Sequence, residues 1–224
     1  MNSPEDYYER WLMSSFIRFI RYGAVFLSMF LPAAYIALTT FHYNLIPGNL
    51  INPIAQARVK VPFTPFAEAI LMELTLELLR EASIRLPGPI GQTIGVVGGI
   101  IIGNAAIQAG LASPLMVIVV ALTAISTFII HNYNLGLAVR FIRFPIAIIS
   151  ALFGGYGMIL AWMVLTIHLV TLESFGIPYF APFSPLQLSD LKDTIIRLPL
   201  SYMIKRPASA RNQNVKRQVS KSEN

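Results

Sequence analysis

The sequence predicts an all-α, polytopic helical membrane protein, with about four transmembrane helices and one amphipathic helix embedded in the membrane. Three observations carry this. Hydrophobic residues make up 55% of the 224 positions and charged residues 12%, about half the charge of an average soluble domain. Long stretches hold no charge at all: 36 residues between Arg21 and Arg58, and 54 from Leu86 to Val139. The net charge of +6 is concentrated at the end, where residues 190–224 hold eight Lys/Arg and three acids. Beside a membrane domain such a tail marks the cytoplasmic side.

The residue inventory excludes several kinds of chemistry. With no cysteine, and histidines only at His42, His131 and His168, a metal centre or a nucleophile–base–orienter triad has little to build from. No GxSxG, HExxH or phosphate loop is present, and the glycines from Gly95 to Gly103 lack the Lys-Ser/Thr that a phosphate loop needs. An enzyme is not expected, nor a cofactor. The basic tail has no interleaved aromatics, so nucleic acid is not expected as a partner.

Residues 1–21 read as a juxtamembrane amphipathic helix rather than a signal peptide. The segment opens on acids, with Ser3 as N-cap and Pro4 in the first turn, and it sets Arg10, Arg18 and Arg21 beside Trp11, Phe16, Phe19 and Tyr22. Residues 22–43 form the first span, ~33 Å of helix at ~1.5 Å per residue, with a kink expected at Pro32. Residues 65–85 carry Glu68, Glu73, Glu77, Arg80, Glu81 and Arg85 in an apolar frame. Glu73, Glu77, Arg80 and Glu81 share one helical stripe and Glu68 lies roughly opposite. As a lone span this segment fails, because the charges outweigh its apolar residues on insertion scales. It is expected to be membrane-embedded, with its stripe at the interface or turned into a bundle. Further spans are expected near 93–110, 114–136 and 144–172, the membrane domain closing at 189. The tail of 190–224 is expected to be cytoplasmic and disordered from about 207. Four spans keep both basic ends in the cytoplasm and leave Arg140 and Arg143 outside; counting 65–85 as a fifth reverses this.

Several segments resemble, in order, the A subunits of the GerA family of spore germinant receptors. They include SPEDYYERW from Ser3, LPAAYIALTTFH from Leu31 and MELTLELLREASIRLPGPIG from Met72. IGQTIGVVGGIIIGNAA from Ile90, SPLMVIVVALTAIS from Ser113 and RFIRFP from Arg140 continue the series. Only the membrane domain of such a subunit is covered, without the soluble region that precedes it, and the stretch His131–Asn134 departs from the family pattern. The resemblance implies a multi-pass subunit in the spore inner membrane. Its partners would be a transporter-like B subunit and a lipoprotein C subunit, and it would assemble as an oligomeric cation channel that triggers germination. A non-conducting scaffold, the related germination-amplifying branch and a secondary transporter are the alternatives.

The residues add two readings of the acidic stripe. Either Glu73, Glu77 and Glu81, with Arg80 as counter-charge, line an ion path, or the helix lies flat with Glu–Arg pairs at the surface. Gly91, Gly95, Gly98, Gly99 and Gly103 form a small-residue ladder for close helix packing, within or between subunits. Asn104 and Gln108 join helices or line a pore, and His168 makes an intramembrane hydrogen bond. Arg140 and Arg143 are expected as interface anchors, with pairing to Glu173 or a neighbouring subunit as the other possibility. The tail is expected to contact anionic lipids.

Overall fold

The computed structural model describes residues 3–187, 191–194, 196–199 and 206. Most of the expected tail, including all of the stretch from 207 expected to be disordered, therefore lies outside the described residues. Six helices follow in order: α1 (Trp11–Thr40), α2 (Gly48–Arg58), α3 (Pro65–Arg85), α4 (Gly88–Gln108), α5 (Pro114–Phe128) and α6 (Tyr133–Thr171). A two-stranded hairpin, β1 (Glu173–Ser174) and β2 (Ile177–Pro178), comes after them. Helices α1, α4 and α6 are long and apolar enough to cross a membrane, and α5 is a shorter apolar helix. The protein is an all-α membrane protein. Its chain divides into two compact units, one of Val25–Ile129 with Tyr133–Ala161, the other of Met1–Ala24, Ile130–Asn132 and the segment from Trp162 onward.

The larger unit has a continuous apolar core in which Ile36, Ala69, Met116 and Val120 are buried with Met72 and Ala147. Its helices start where side chains take up free amides. The Thr64 hydroxyl accepts from the Ala67 N–H at 3.3 Å, with Pro65 opening α3. Ser113 accepts from the Met116 N–H at 3.2 Å, with Pro114 opening α5. Helix α4 closes at Gly110, whose φ of +68 suits the left-handed cap position. Leu111 N–H returns to the Ala106 carbonyl at 2.8 Å and Gly110 N–H to that of Ile107 at 3.1 Å, the two bonds of a Schellman motif.

Three sequence boundaries change. The expected separate helix of residues 1–21 is a 3-10 turn, Pro4–Tyr7, followed by one helix that runs from Trp11 into the first span. No glycine or proline interrupts residues 11–22, so nothing stops the helix from continuing. The expected 114–136 span ends at Phe128 and the next helix begins at Tyr133. The expected single span 144–172 is two limbs, 133–153 and 155–171, meeting at Gly154, where φ 62 and ψ −141 leave helical space. The Gly154-Gly155 pair permits the break. A Cβ at Gly157 would overlap the carbonyl oxygen of Ile149, eight residues earlier and ~12 Å away in a straight helix. The chain therefore turns back sharply at Gly154, bringing Gly157 against Ile149. His42 Nε2 accepts the Gly155 N–H at 3.0 Å and caps the second limb, while the Phe41 ring fills the space a Gly154 side chain would need.

Directions follow from these contacts. Ser150 Oγ donates to the Ala33 carbonyl at 2.8 Å and Gly154 lies against Phe41, so the first limb of α6 runs parallel to α1. The start of α3 meets the α4–α5 turn, Glu68 receiving Ser113, and the end of α3 meets the start of α4, Ser83 against Gly91.

In the smaller unit a buried polar clasp fastens residues 191–197 to the start of α1. Arg18 and Arg21 both pair with Asp6 at 3.1 Å, and Arg18 also pairs with Asp193 at 3.0 Å. The Arg197 guanidinium donates to the Asp6 and Glu9 carbonyls and stacks on Tyr7. Asp193 and Arg197 thus lie beside the start of α1. Burial alone pushes the Asp6 carboxyl up, but hydrogen bonds from Arg21, the Ser3 amide and Arg18 outweigh it and hold Asp6 below the usual carboxylate range. A depressed folded value stabilises the clasp above about pH 4, and that contribution is lost as pH falls through the folded value. Amide exchange in 191–198 is expected to be protected at neutral pH, and to lose protection in acid or, at neutral pH, in Asp6→Asn. Protection indifferent to both would remove Asp6 as the tie.

Candidate functional site

The charged stripe of α3 is drawn into the bundle and neutralised there. Glu73 is 2% exposed and its Oε2 lies 3.0 Å from Arg143 Nη2. Arg143, equally buried, directs its N–H to Glu77 Oε1 at 3.2 Å. Arg140 Nη1 reaches Glu77 Oε2 at 3.1 Å and Arg80 Nη1 reaches Glu77 Oε1 at 3.4 Å. Arg80 also lies over the Phe128 ring at 4.8 Å. Two carboxylates therefore face three guanidiniums. One arginine is shared by two acids, and neither oxygen of Glu73 receives a directed hydrogen bond.

This corrects one expectation. Arg140 and Arg143 are not interface anchors: the first limb of α6 carries them against α3, where they complete ion pairs. Glu73, Glu77 and Arg80 thus sit with Arg140 and Arg143 in one group of two acids and three arginines, net +1. Glu81 stands apart, exposed and paired with Arg85 at 2.6 Å, as the surface reading expects. A helical wheel shows which face an acid occupies; it does not show what arrives from 63 to 70 residues further along.

A second buried acid was legible only as the odd one out. Glu68, 0% exposed, pairs with Arg58 at 2.7 Å. Its other oxygen accepts from the backbone N–H and the hydroxyl of Ser113, both at 2.6 Å. Arg58 also donates to the Tyr35 hydroxyl at 3.0 Å and the Phe63 carbonyl at 3.2 Å. One carboxylate thereby ties α1, the α2–α3 loop and the α4–α5 turn together. The signal for Arg58 was its place as the first charge after 36 uncharged residues; for Tyr35 and Ser113 there was none.

The glycine ladder packs within the chain. A Cβ at Gly91 would overlap the Ser83 carbonyl, and at Gly98 it would meet Leu79 Cδ1 at 2.7 Å. Gly95 faces Ser83 Oγ, Gly99 faces Leu79 and Gly103 faces Val117 on α5, at 3.4, 3.9 and 3.7 Å. The glycines thus seat α4 on α3 and, at Gly103, on α5. Turning them inward turns the opposite side of α4 out. Thr93 and Asn104, three turns apart, and Gln108, one turn further, fall on one stripe of that side with Val97 and Ile101, and all five are exposed. The side chains of Asn104 and Gln108 make no hydrogen bond among the described residues. His168, on the second limb of α6, is also exposed, and its ring makes no such bond among the described residues.

A family profile described as Bacillus/Clostridium GerA spore germination protein matches residues 1–209. Spore germination protein A1 of Bacillus subtilis (strain 168) is 46% identical over 214 residues, 96% of this chain and 44% of that protein. Spore germination protein GerLA of Bacillus cereus is 46% identical over 205 residues, 92% and 42% respectively. The uncharacterized membrane protein YfkQ of Bacillus subtilis (strain 168) is 44% identical over 209 residues, 93% and 41%. The chain thus spans less than half the length of these relatives. No solved structure matches it.

Proposed function

Because the chain belongs to the GerA family of spore germination proteins, we propose that it is a membrane subunit of a germinant receptor, and that copies of it assemble around a cation path lined by the exposed face of α4. The observation that carries this is the exposed polar stripe of Thr93, Asn104 and Gln108 on a helix whose glycines turn the opposite side toward α3 and α5. An amide side chain facing hydrocarbon loses its hydrogen bonds to water and costs several kcal/mol on apolar-transfer scales. Repeated around a symmetric ring, the same amides face water and replace part of an ion's hydration. A transporter-like subunit and a lipoprotein subunit of the receptor are its expected partners, the spore inner membrane its location, and anionic lipids the contact of its basic tail.

Helix α3 crosses the membrane in this reading. The first limb of α6 is parallel to α1, so an odd number of crossings separates them; α4 and α5 supply two, and α3 is the third. Counting the second limb of α6 as a further crossing gives six, with the start of α1 and its partners Asp193 and Arg197 on the basic, cytoplasmic side. The pairing with Arg140 and Arg143 is what lets a helix with this many acids sit in a bundle. The chain has no cysteine, so single cysteines report sidedness directly. Lys60→Cys and Gly88→Cys, the latter at a position with open space, are expected to react with an impermeant maleimide from opposite sides. Reaction from one side would leave α3 embedded without crossing.

Potassium release from vesicles holding the purified chain tests conduction. The wild type is expected to release potassium and Asn104→Leu/Gln108→Leu to lose release while keeping its fold. A folded, oligomeric wild type without release would favour a scaffold that docks receptor partners.

A further inference from the structure

The hairpin after α6 is built around an unfavourable turn. Glu173 pairs with Pro178 and Ser174 with Ile177, and the Tyr179 N–H closes it on the Leu172 carbonyl at 2.8 Å. Its two turn residues, Phe175 and Gly176, have φ of +52 and +71. Two-residue turns of this kind favour Asn or Asp before Gly, because the first position must also be left-handed. An aromatic residue there is strained, and Phe175 is fully exposed, with no cover from the described residues. Strain retained at a bulky, uncovered side chain points to something outside the chain that covers it.

We propose that the Phe175–Gly176 tip inserts into the headgroup–acyl boundary of the bilayer, with phospholipid as the occupant. The hairpin begins two residues after the last residue of α6. That helix's final turns expose Ile167 and Val170, and Leu172 continues the apolar surface to the tip, so the lipid-facing side of the helix runs into the hairpin without a break. Ile177 and Tyr179 flank the tip and are exposed as well. No lysine or arginine lies between Arg143 and Lys192, so the contact is apolar insertion and not attraction to anionic headgroups. In the same unit the start of α1 exposes Trp11, Phe16 and Phe19, the residues of an interfacial aromatic belt. The buried clasp of residues 191–197 holds the chain beyond the hairpin to that same helix start. The second limb of α6 is thus anchored at its end by a side chain in lipid, whether or not the chain conducts.

The test uses the full chain in phosphatidylcholine vesicles. Phe175→Trp is made in a Trp11→Phe/Trp162→Phe background, which leaves a single tryptophan. Its emission is expected to be quenched by brominated lipids, more by bromines near the headgroup than by deeper ones, and to resist acrylamide. Emission open to acrylamide and untouched by bromolipid would place the tip in water and overturn the proposal. Emission shielded from both quenchers would mean a protein cover, such as another copy of the chain, and would overturn it equally. A nitroxide on Phe175→Cys, the only cysteine in that variant, gives a second reading: collisions with oxygen are expected to exceed those with a water-soluble nickel chelate, and the reverse contradicts lipid contact.

Discussion

Replacing Arg143 with leucine is expected to cost about 3–5 kcal/mol of stability, the loss typical of removing one partner from a buried ion pair. The reason lies in what it leaves behind. Arg143 touches both Glu73 and Glu77. Glu77 keeps Arg80 and Arg140, but Glu73 has no other ion-pair partner within reach among the described residues. The variant strands a carboxylate that is 2% exposed. Removing both sides, in Arg143→Leu/Glu73→Leu, is expected to recover most of the loss, because no uncompensated buried charge remains. Arg143→Lys keeps the charge but lacks the planar fork that serves two acids, so only partial stability should return. Unfolding of the detergent-solubilised protein along a denaturant series measures all three. An Arg143→Leu protein within 1 kcal/mol of the wild type, a surface-like value, would mean that the network is hydrated and carries little.

The glycine seam gives the second large effect, and it is graded. Gly91→Ala is expected to be the most damaging, because its Cβ would meet the backbone oxygen of Ser83, which can move only if α3 moves. Overpacking of this kind costs typically 1–3 kcal/mol. At Gly98 the obstacle is the end of the Leu79 side chain, which can rotate, so the cost is smaller. At Gly99 and Gly103 the nearest atoms lie at 3.9 and 3.7 Å, ordinary contact distances. There alanine is expected to be neutral or stabilising by up to ~1 kcal/mol through helix propensity. The same unfolding series orders the four variants. Equal losses at Gly91 and Gly99 would contradict the geometry and point to a seam that also packs against another chain.

The sequence made local features legible and left distant ones hidden. Helix α3 occupies the segment Pro65–Arg85 marked by its acids, because Thr64-Pro65 opens it and Leu86-Pro87 closes it within a few residues. The glycine ladder announced a close helix contact, since small residues four apart have few other uses in an apolar helix. The break in α6 was not legible: Gly154-Gly155 lies in an apolar run with no charge or proline beside it, and what stabilises the break is a histidine 113 residues earlier. The clasp of Asp6 by Arg18 and Arg21 was hidden for the same reason that aromatics between arginines suggest a membrane surface. The alternation shows amphipathic character, while the arrival of Asp193 and Arg197 depends on a fold-back across 175 to 191 residues. Of the candidate site, the acids and the Arg80 counter-charge were legible as a stripe, and the arrival of Arg140 and Arg143 was not.

On the function proposed above, the exposed face of α4, and not the acidic stripe of α3, is the conducting surface. Potassium release from vesicles decides it most directly when three folded proteins are compared: the wild type, Asn104→Leu/Gln108→Leu and Glu73→Gln/Glu77→Gln. The predicted result is release by the wild type, loss of release in the α4 variant, and unchanged ion selectivity in the α3 variant wherever that protein remains assembled. Retained release in the α4 variant, together with altered selectivity in the α3 variant, would contradict the account and return the ion path to Glu73 and Glu77.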